Sequence, residues 1–99
     1  MFTEKTNENG ILTVYMKGRL DTATAPQAES ELEADVAAAK ELILDMKELR
    51  YVSSAGLRLL LKLHKAMSKK DGMRLRNVNE SIREILDLTG FTDILHIES

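Results

Sequence analysis

The chain has 99 residues, 43% of them hydrophobic, which suffices for one folded domain and is too little for two. It contains no cysteine, which excludes disulfides and thiolate chemistry, and its net charge of −2 argues against broad binding to nucleic acid. No apolar run approaches the roughly 20 residues of a membrane-spanning helix, and residues 1–5 lack a signal-peptide pattern. We therefore expect a cytoplasmic protein that binds neither membranes nor nucleic acid directly.

The first predicted element is a β-hairpin. Its strands cover residues 2–7 and 11–17, and its turn lies at Glu8-Asn9-Gly10, because Asn-Gly readily adopts positive φ angles. Apolar and polar residues alternate along 11–17, which is typical of a half-buried strand. Gly18 is predicted to end this strand.

A helix is predicted from about Thr24. Thr24 and Gln27 fit a capping box, and Pro26 is tolerated in the first turn, where its missing N–H breaks no helical hydrogen bond. Small apolar residues then recur at helical spacing, which predicts close packing on a sheet. They are Ala25, Ala28, Leu32, Val36 and Ala39.

The middle of the chain predicts a buried strand, a turn and a second helix. Leu42-Ile43-Leu44 is a short apolar run of the kind expected in a strand that is covered on both faces. A turn is predicted over 45–50, after which Tyr51-Val52 leads to a helix over about 55–69. The apolar stripe of that helix contains Leu57, Leu60, Leu61, His64 and Met67.

The last third of the chain predicts two further strands around a third helix. A strand covers 73–78, Asn79 caps the helix, Gly90 takes the left-handed position after it, and 94–97 forms a weak final strand. The order β-β-α-β-α-β-α-β predicts an α/β fold. We expect one domain over 1–99, with a mixed, mostly parallel sheet of four to five strands packed with three to four helices.

The sequence lacks the common enzyme signatures. It has no Gly-x-Ser-x-Gly elbow, phosphate-binding loop, dinucleotide fingerprint or zinc-protease motif. His64 and His96 are too widely spaced to suggest a metal-chelating pair, and no base is evident that would activate Ser53 or Ser54 as a nucleophile. We expect no enzymatic activity, no cofactor and no metal.

The junction before the second helix carries the one unusual signal. Either Ser53 or Ser54 is expected to cap the helix, since serine is favoured at that position. A hydroxyl there is also well placed for phosphorylation, because free N–H groups stabilise a phosphate and Gly56 keeps the backbone accessible. Six basic residues and no acidic one lie between Arg50 and Lys70, which indicates a solvated face or a surface that steers a charged partner.

Four segments together resemble STAS domains, specifically the bacterial anti-sigma-factor antagonists. Ser53-Ser54-Ala55-Gly56-Leu57 resembles the family's phosphorylation motif, Asp-Ser-(Ser/Thr)-Gly-Leu. Residues 18–25 resemble its Gly-x-(Leu/Ile)-Asp-x-x-(Thr/Ser)-Ala loop, residues 45–49 its approach to the site, and residues 85–91 its C-terminal element. The segments come in the family's order, and the resemblance spans nearly the whole chain.

The resemblance implies a phosphorylation switch. Ser54 matches the serine that a kinase-type anti-sigma factor phosphorylates; the unphosphorylated antagonist binds this kinase and the phosphorylated form releases it. A phosphatase that resets Ser54 is a further candidate partner. The residues to which the resemblance assigns partner binding are Asp21, Thr24, Ser53, Ala55, Gly56 and Arg58.

The sequence departs from the family's motif at two positions. Ser53 stands where an acidic residue usually precedes the acceptor, and Ala55 replaces the following hydroxyl. Losing the acidic neighbour is expected to change kinase preference or to remove the switch altogether. Arg58 stands where many antagonists carry glycine, and it adds positive charge that can pair with a phosphate or with an acidic partner.

Two functions from different classes remain open at this point. The first is a phospho-switched anti-sigma-factor antagonist without catalysis. The second is a STAS adaptor that binds without phosphorylation, within a signalling scaffold or a lipid-transport complex. Nucleotide binding, which has been proposed for STAS domains generally, is a third, but no phosphate-binding loop or aromatic clamp supports it. Phosphorylation of Ser54 distinguishes the first two.

Overall fold

The elements follow one another in the predicted order. The computed structural model describes residues 4–98, so residues 2 and 3 of the predicted first strand lie outside the described part. The elements are β1 (Glu4–Glu8), β2 (Ile11–Leu20), α1 (Ala25–Ala38), β3 (Glu41–Val52), α2 (Ser54–Met67), β4 (Met73–Arg76), α3 (Glu80–Thr89), a 3₁₀ turn (Phe91–Asp93) and β5 (His96–Ile97).

The five strands form one mixed sheet in the order β1-β2-β3-β4-β5, which confirms the predicted fold class. β1 is antiparallel to β2, and all the later pairs are parallel. Each helix connects a strand to its immediate neighbour, always in the same direction across the sheet. Because such crossovers are right-handed, the three helices lie on the same face.

The core lies between that face and the helices. Leu12, Val14 and Met16 of β2 are all at most 1% exposed, as the period-two pattern predicts. One continuous cluster joins them to the helix-facing apolar residues of β3 and β4 and to the buried residues of all three helices. The protein is therefore a two-layer α/β domain, and the opposite face of the sheet carries mostly polar side chains.

The prediction that the strand around Leu42-Ile43-Leu44 is covered on both faces is wrong. Leu42 and Leu44 belong to the core cluster, whereas Ile43 points to the opposite face and does not. Ile43 is nevertheless only 6% exposed. Its register partners Thr13 and Arg74 flank it on the adjacent strands, so cross-strand neighbours bury it without a covering helix.

The predicted turn over 45–50 is also wrong, because β3 runs without interruption from Glu41 to Val52. Asp45 is 6% exposed inside this strand. Its carboxylate accepts hydrogen bonds from the Arg76 guanidinium at 3.2 Å and from the Asn77 amide at 2.9 Å. Arg76 is the last residue of the neighbouring strand β4, and Asn77 follows it. These donors satisfy the buried charge, so a polar sequence continues as a strand.

Gly18 does not end the second strand, which continues to Leu20. Its φ of 79° falls in the left-handed region, and the register between β2 and β3 shifts immediately after it. The glycine therefore marks a bulge rather than a terminus. The signals at other positions are confirmed: Asn9 and Gly10 have positive φ in the hairpin turn, Asn79 caps α3, and Gly90 is left-handed.

Candidate functional site

The parallel pairing of β2 with β3 places the sequence-predicted site residues at one end of the sheet. Leu20, the last residue of β2, is in register with Val52, the last residue of β3. The backbone N–H of Ser53 donates to the Leu20 carbonyl at 2.9 Å. The loop that follows β2 and the first turn of α2 are thereby held side by side.

Gly56 allows the first turn of α2 to lie against the end of β2. A Cβ atom at this position would lie 2.6 Å from the Leu20 carbonyl oxygen and 2.8 Å from a methyl carbon of Val52. Both distances are well below ordinary van der Waals contact, and one of the atoms belongs to the backbone. The glycine is therefore required by the close packing of helix and strand.

We expect Gly56→Ala to destabilise the fold by about 1–3 kcal/mol, the usual cost of forcing a methyl group into a packed site. Urea denaturation monitored by circular dichroism measures this change. Ala55→Gly, a change of the same size at the neighbouring half-buried position, serves as a control for the backbone flexibility of the first turn. An unchanged denaturation midpoint in Gly56→Ala would contradict the close packing.

The two serines at the start of α2 have different surroundings. Ser53 is the N-cap: its hydroxyl oxygen accepts a hydrogen bond from the Gly56 N–H at 3.4 Å. Ser54 is the first residue of the helix, and its side chain is exposed. The Ser54 hydroxyl makes no hydrogen bond to another residue in the described range 4–98. The Ser53 hydroxyl thus has a structural role in capping the helix, whereas the Ser54 hydroxyl is accessible for reaction.

Asp21 closes the loop formed by residues 21–24, called here the Asp21 loop. One carboxylate oxygen accepts hydrogen bonds from the N–H groups of Ala23 at 3.0 Å and Thr24 at 3.1 Å. The other lies 3.5 Å from the guanidinium of Arg19. The bond from the Thr24 N–H is the main cause that holds the pKa of the Asp21 carboxyl below its ordinary value of 3.8.

The predicted capping box at Thr24 does not form, although Thr24 does precede α1 and Pro26 does lie in its first turn. The Thr24 hydroxyl donates to the Arg19 carbonyl at 2.7 Å and accepts from the Asp21 N–H at 2.9 Å. These bonds turn the side chain into the loop, away from the N–H groups of the helix. Thr24 therefore stabilises the Asp21 loop rather than capping α1.

We expect the charge of Asp21 to stabilise the protein above pH 4 and to stop doing so in acid. A carboxyl with a lowered pKa in the folded state contributes stability above its unfolded pKa, and loses it as the pH falls through the folded value. Asp21→Asn keeps an oxygen acceptor but has no charge, so its melting temperature should fall less than that of the wild type between about pH 6 and about pH 3. Identical pH profiles would contradict this role.

Sequence reasoning missed a contact between Arg19 and Tyr51. The guanidinium carbon of Arg19 lies 4.4 Å from the centre of the Tyr51 ring, a cation–π arrangement on the surface beside the Asp21 loop. The two residues are paired in register only because β3 contains an extra residue opposite Gly18 and Arg19. A sequence pattern does not reveal that bulge. However, Tyr51 lies only two residues before the serine motif, and this proximity could have indicated a role at the site.

The remaining predicted residues border a shallow depression between the Asp21 loop and α2. It is lined by residues of the loop, of α1 and of α2, namely Thr22, Ala25, Pro26, Glu29, Ala55, Arg58, Leu59 and Lys62. Ala55 is half-buried and Arg58 is exposed. Within the described part of the chain, no group of three acidic or histidine side chains is arranged to hold a metal ion, and no helix is both long and apolar enough to cross a membrane.

Sequence comparison relates the chain to known proteins over nearly its whole length. The family model described as "STAS domain" matches residues 3–99. A Bordetella bronchiseptica protein named "Putative anti-sigma factor antagonist BtrV" is 33% identical over 91 residues, which cover 90% of this chain and 78% of that protein. The anti-sigma-B factor antagonist of Bacillus subtilis is 30% identical over 96 residues, which cover 96% of this chain and 87% of the relative.

The fold is also found in solved structures. The anti-sigma factor antagonist SpoIIAA in its unphosphorylated form has a TM-score of 0.81 at 16% identity, covering 98% of this chain and 88% of that one. The phosphorylated form of the Bacillus SpoIIAA has a TM-score of 0.73, also at 16% identity, covering 98% of this chain and 91% of the other. At this identity the likeness concerns the fold alone.

Proposed function

The chain belongs to the STAS domain family, and from this premise we propose that it is an anti-sigma factor antagonist whose binding is switched by phosphorylation of Ser54. Two relatives at 30% identity or more carry the name of anti-sigma factor antagonist, which supports the binding function. The observation that carries the switch is the exposed hydroxyl of Ser54 at the first residue of α2, which makes no hydrogen bond within residues 4–98.

The proposed contact with the anti-sigma factor is made by the switch surface, which we define as residues 21–24 and 53–58. Hydrogen bonds from Ser53 to Leu20 and within the Asp21 loop hold the two segments together, so they offer a pre-organised surface. A surface that is already ordered loses little conformational entropy when it binds. The partner-binding roles of Asp21, Thr24, Ser53, Ala55, Gly56 and Arg58 are part of this proposal.

In the proposed switch, the anti-sigma factor is also the kinase. The γ-phosphoryl group of its ATP is transferred to the Ser54 oxygen; the bond from the γ-phosphorus to the β–γ bridging oxygen breaks, ADP leaves, and the hydroxyl proton passes to a base of the kinase. This chain is the substrate in that reaction and supplies no catalytic group. A phosphatase that hydrolyses the ester restores the binding form.

The substitution of the usual acidic residue by Ser53 is compatible with this switch. Aspartate and serine are both strongly preferred N-cap residues, so either one can accept the hydrogen bond from the N–H of Gly56. The helix consequently begins at the same residue, and Ser54 keeps its exposed position.

Binding to the anti-sigma factor frees a sigma factor for transcription, which is a cytoplasmic process in bacteria.

The test uses the serine-kinase-type anti-sigma factors encoded in the same genome, each purified and mixed with this protein and ATP. We expect one of them to bind the unmodified protein and to raise its mass by a single phosphate, with loss of the complex. Tight binding without a mass change would replace the switch with the phosphorylation-independent adaptor. Absence of binding to every member of the panel would refute the antagonist function itself.

A further inference from the structure

We propose that Arg58 binds the phosphate on Ser54 and holds it on the surface of α2. This inference rests on the proposed function, because it concerns the phosphorylated form. The sequence leaves two roles open for Arg58, pairing with a phosphate or with an acidic partner. Its position relative to Ser54 and the surrounding charges favour the phosphate.

The spacing along α2 directs Arg58 towards Ser54. The two residues are four positions apart and both exposed, so they lie on one face with Cβ atoms about 5–6 Å apart. Side chains of a helix lean towards its N-terminus, which carries the guanidinium back over the turn that begins at Ser54. A guanidinium at that distance can donate two parallel hydrogen bonds to phosphate oxygens.

The guanidinium of Arg58 is not engaged elsewhere in the described part of the chain. Its side chain makes no ion pair or hydrogen bond with residues 4–98. Lys62, one turn further along α2, is by contrast bound to the carboxylate of Glu29 on α1. The stem of Arg58 borders the depression formed with Thr22 and Pro26, which can support its methylene groups while the charged end stays in water.

The carboxylates nearest to Arg58 are already engaged by other residues. Glu29 of α1 lines the same depression as Arg58, but its carboxylate is bound to Lys62. α2 contains no acidic residue. The Asp21 carboxylate in the adjoining loop already accepts hydrogen bonds from Ala23 and Thr24 and pairs with Arg19. A phosphate on Ser54 would therefore be the main anion within reach of Arg58.

The test installs phosphoserine at position 54 during translation with an expanded genetic code, so that no kinase is needed. The second pKa of the phosphate is followed by ³¹P NMR at low salt in four proteins: wild type, Arg58→Lys, Arg58→Ala and Lys65→Ala. Lys65 is an exposed lysine nearer the other end of the same helix, so its replacement removes one positive charge without touching the proposed pair.

We expect the phosphate of the wild type to titrate below the value of about 6 that is usual for phosphoserine, because a nearby cation favours the dianion. Arg58→Ala should raise this pKa by roughly 0.5–1 unit, Arg58→Lys by less, and Lys65→Ala hardly at all. Equal values in the wild type and Arg58→Ala would overturn the inference. Because the phosphate is installed without a kinase, the two proposals fail separately. Equal pKa values would leave the proposed switch untouched, and a negative kinase assay would leave the result of this titration valid.

Discussion

Ser54→Ala is expected to reduce phosphate transfer from the anti-sigma factor to background, whereas the same change at Ser53 should leave transfer intact. The Ser54 hydroxyl is exposed and makes no hydrogen bond within residues 4–98, so a kinase can take it without disturbing the fold. The Ser53 hydroxyl is half-buried and accepts a hydrogen bond from the N–H of Gly56. Intact-mass spectrometry after incubation with the kinase and ATP measures both results.

Variants at Ser53 separate loss of the phosphate acceptor from loss of structure. Removing the cap in Ser53→Ala should cost about 1 kcal/mol of stability, a typical value for this type of change. Ser53→Asp keeps an oxygen at the cap and restores the residue usual in the family, so it should be both stable and phosphorylated. Phosphate that persists in Ser54→Ala and disappears in Ser53→Ala would show that the two serines have been assigned in the wrong order.

Local signals in the sequence predicted the fold well where short-range chemistry decides the backbone. Asn9-Gly10 adopts the positive φ angles of a tight turn, Asn79 accepts a hydrogen bond from the N–H of Ile82, and Gly90 is left-handed after α3. Each of these outcomes depends on residues within three positions along the chain. The alternation of strands and helices followed from the hydrophobic periods in the same way.

The errors in the fold prediction come from interactions between residues far apart in the sequence. The charged stretch that begins at Asp45 looks like a turn in the sequence. In the structure it is a strand, and Arg76 on the neighbouring strand neutralises the Asp45 carboxylate. Gly18 is a residue type that often ends a strand, but the pairing of β2 with β3 continues past it. Such tertiary contacts override local propensity, and sequence reasoning has no access to their register.

The candidate site was predicted in part. The serine motif, Gly56 and the Asp21 loop were found from helix-capping chemistry and from the family resemblance, and the structure brings them together at one end of the sheet. The division of roles between Ser53 and Ser54 required the geometry of the cap. The Arg19–Tyr51 contact required the bulged register of two strands that are separated by a whole helix.

Ser54→Asp is expected to weaken binding of the anti-sigma factor by about a hundredfold or more while leaving the fold unchanged. A negative charge at this position would lie in the middle of the switch surface, against whatever group of the partner now contacts the neutral hydroxyl. One desolvated contact of this kind costs about 3 kcal/mol, which corresponds to that loss of affinity. The first turn of a helix tolerates an acidic residue well, so circular dichroism and melting temperature should stay near those of the wild type.

The matched control is Ser81→Asp, which makes the same substitution at an exposed serine in the first turn of α3. It changes the net charge by the same amount and meets the same kind of helix terminus, but it lies outside the switch surface, so affinity should fall by less than about threefold. Replacing Lys65 or Lys69, farther along α2, should likewise have little effect. Isothermal titration at one salt concentration compares all of these proteins.

If Ser54→Asp and the protein phosphorylated at Ser54 both bind as tightly as the wild type, phosphorylation does not release the partner, and the chain acts instead as a phosphorylation-independent adaptor.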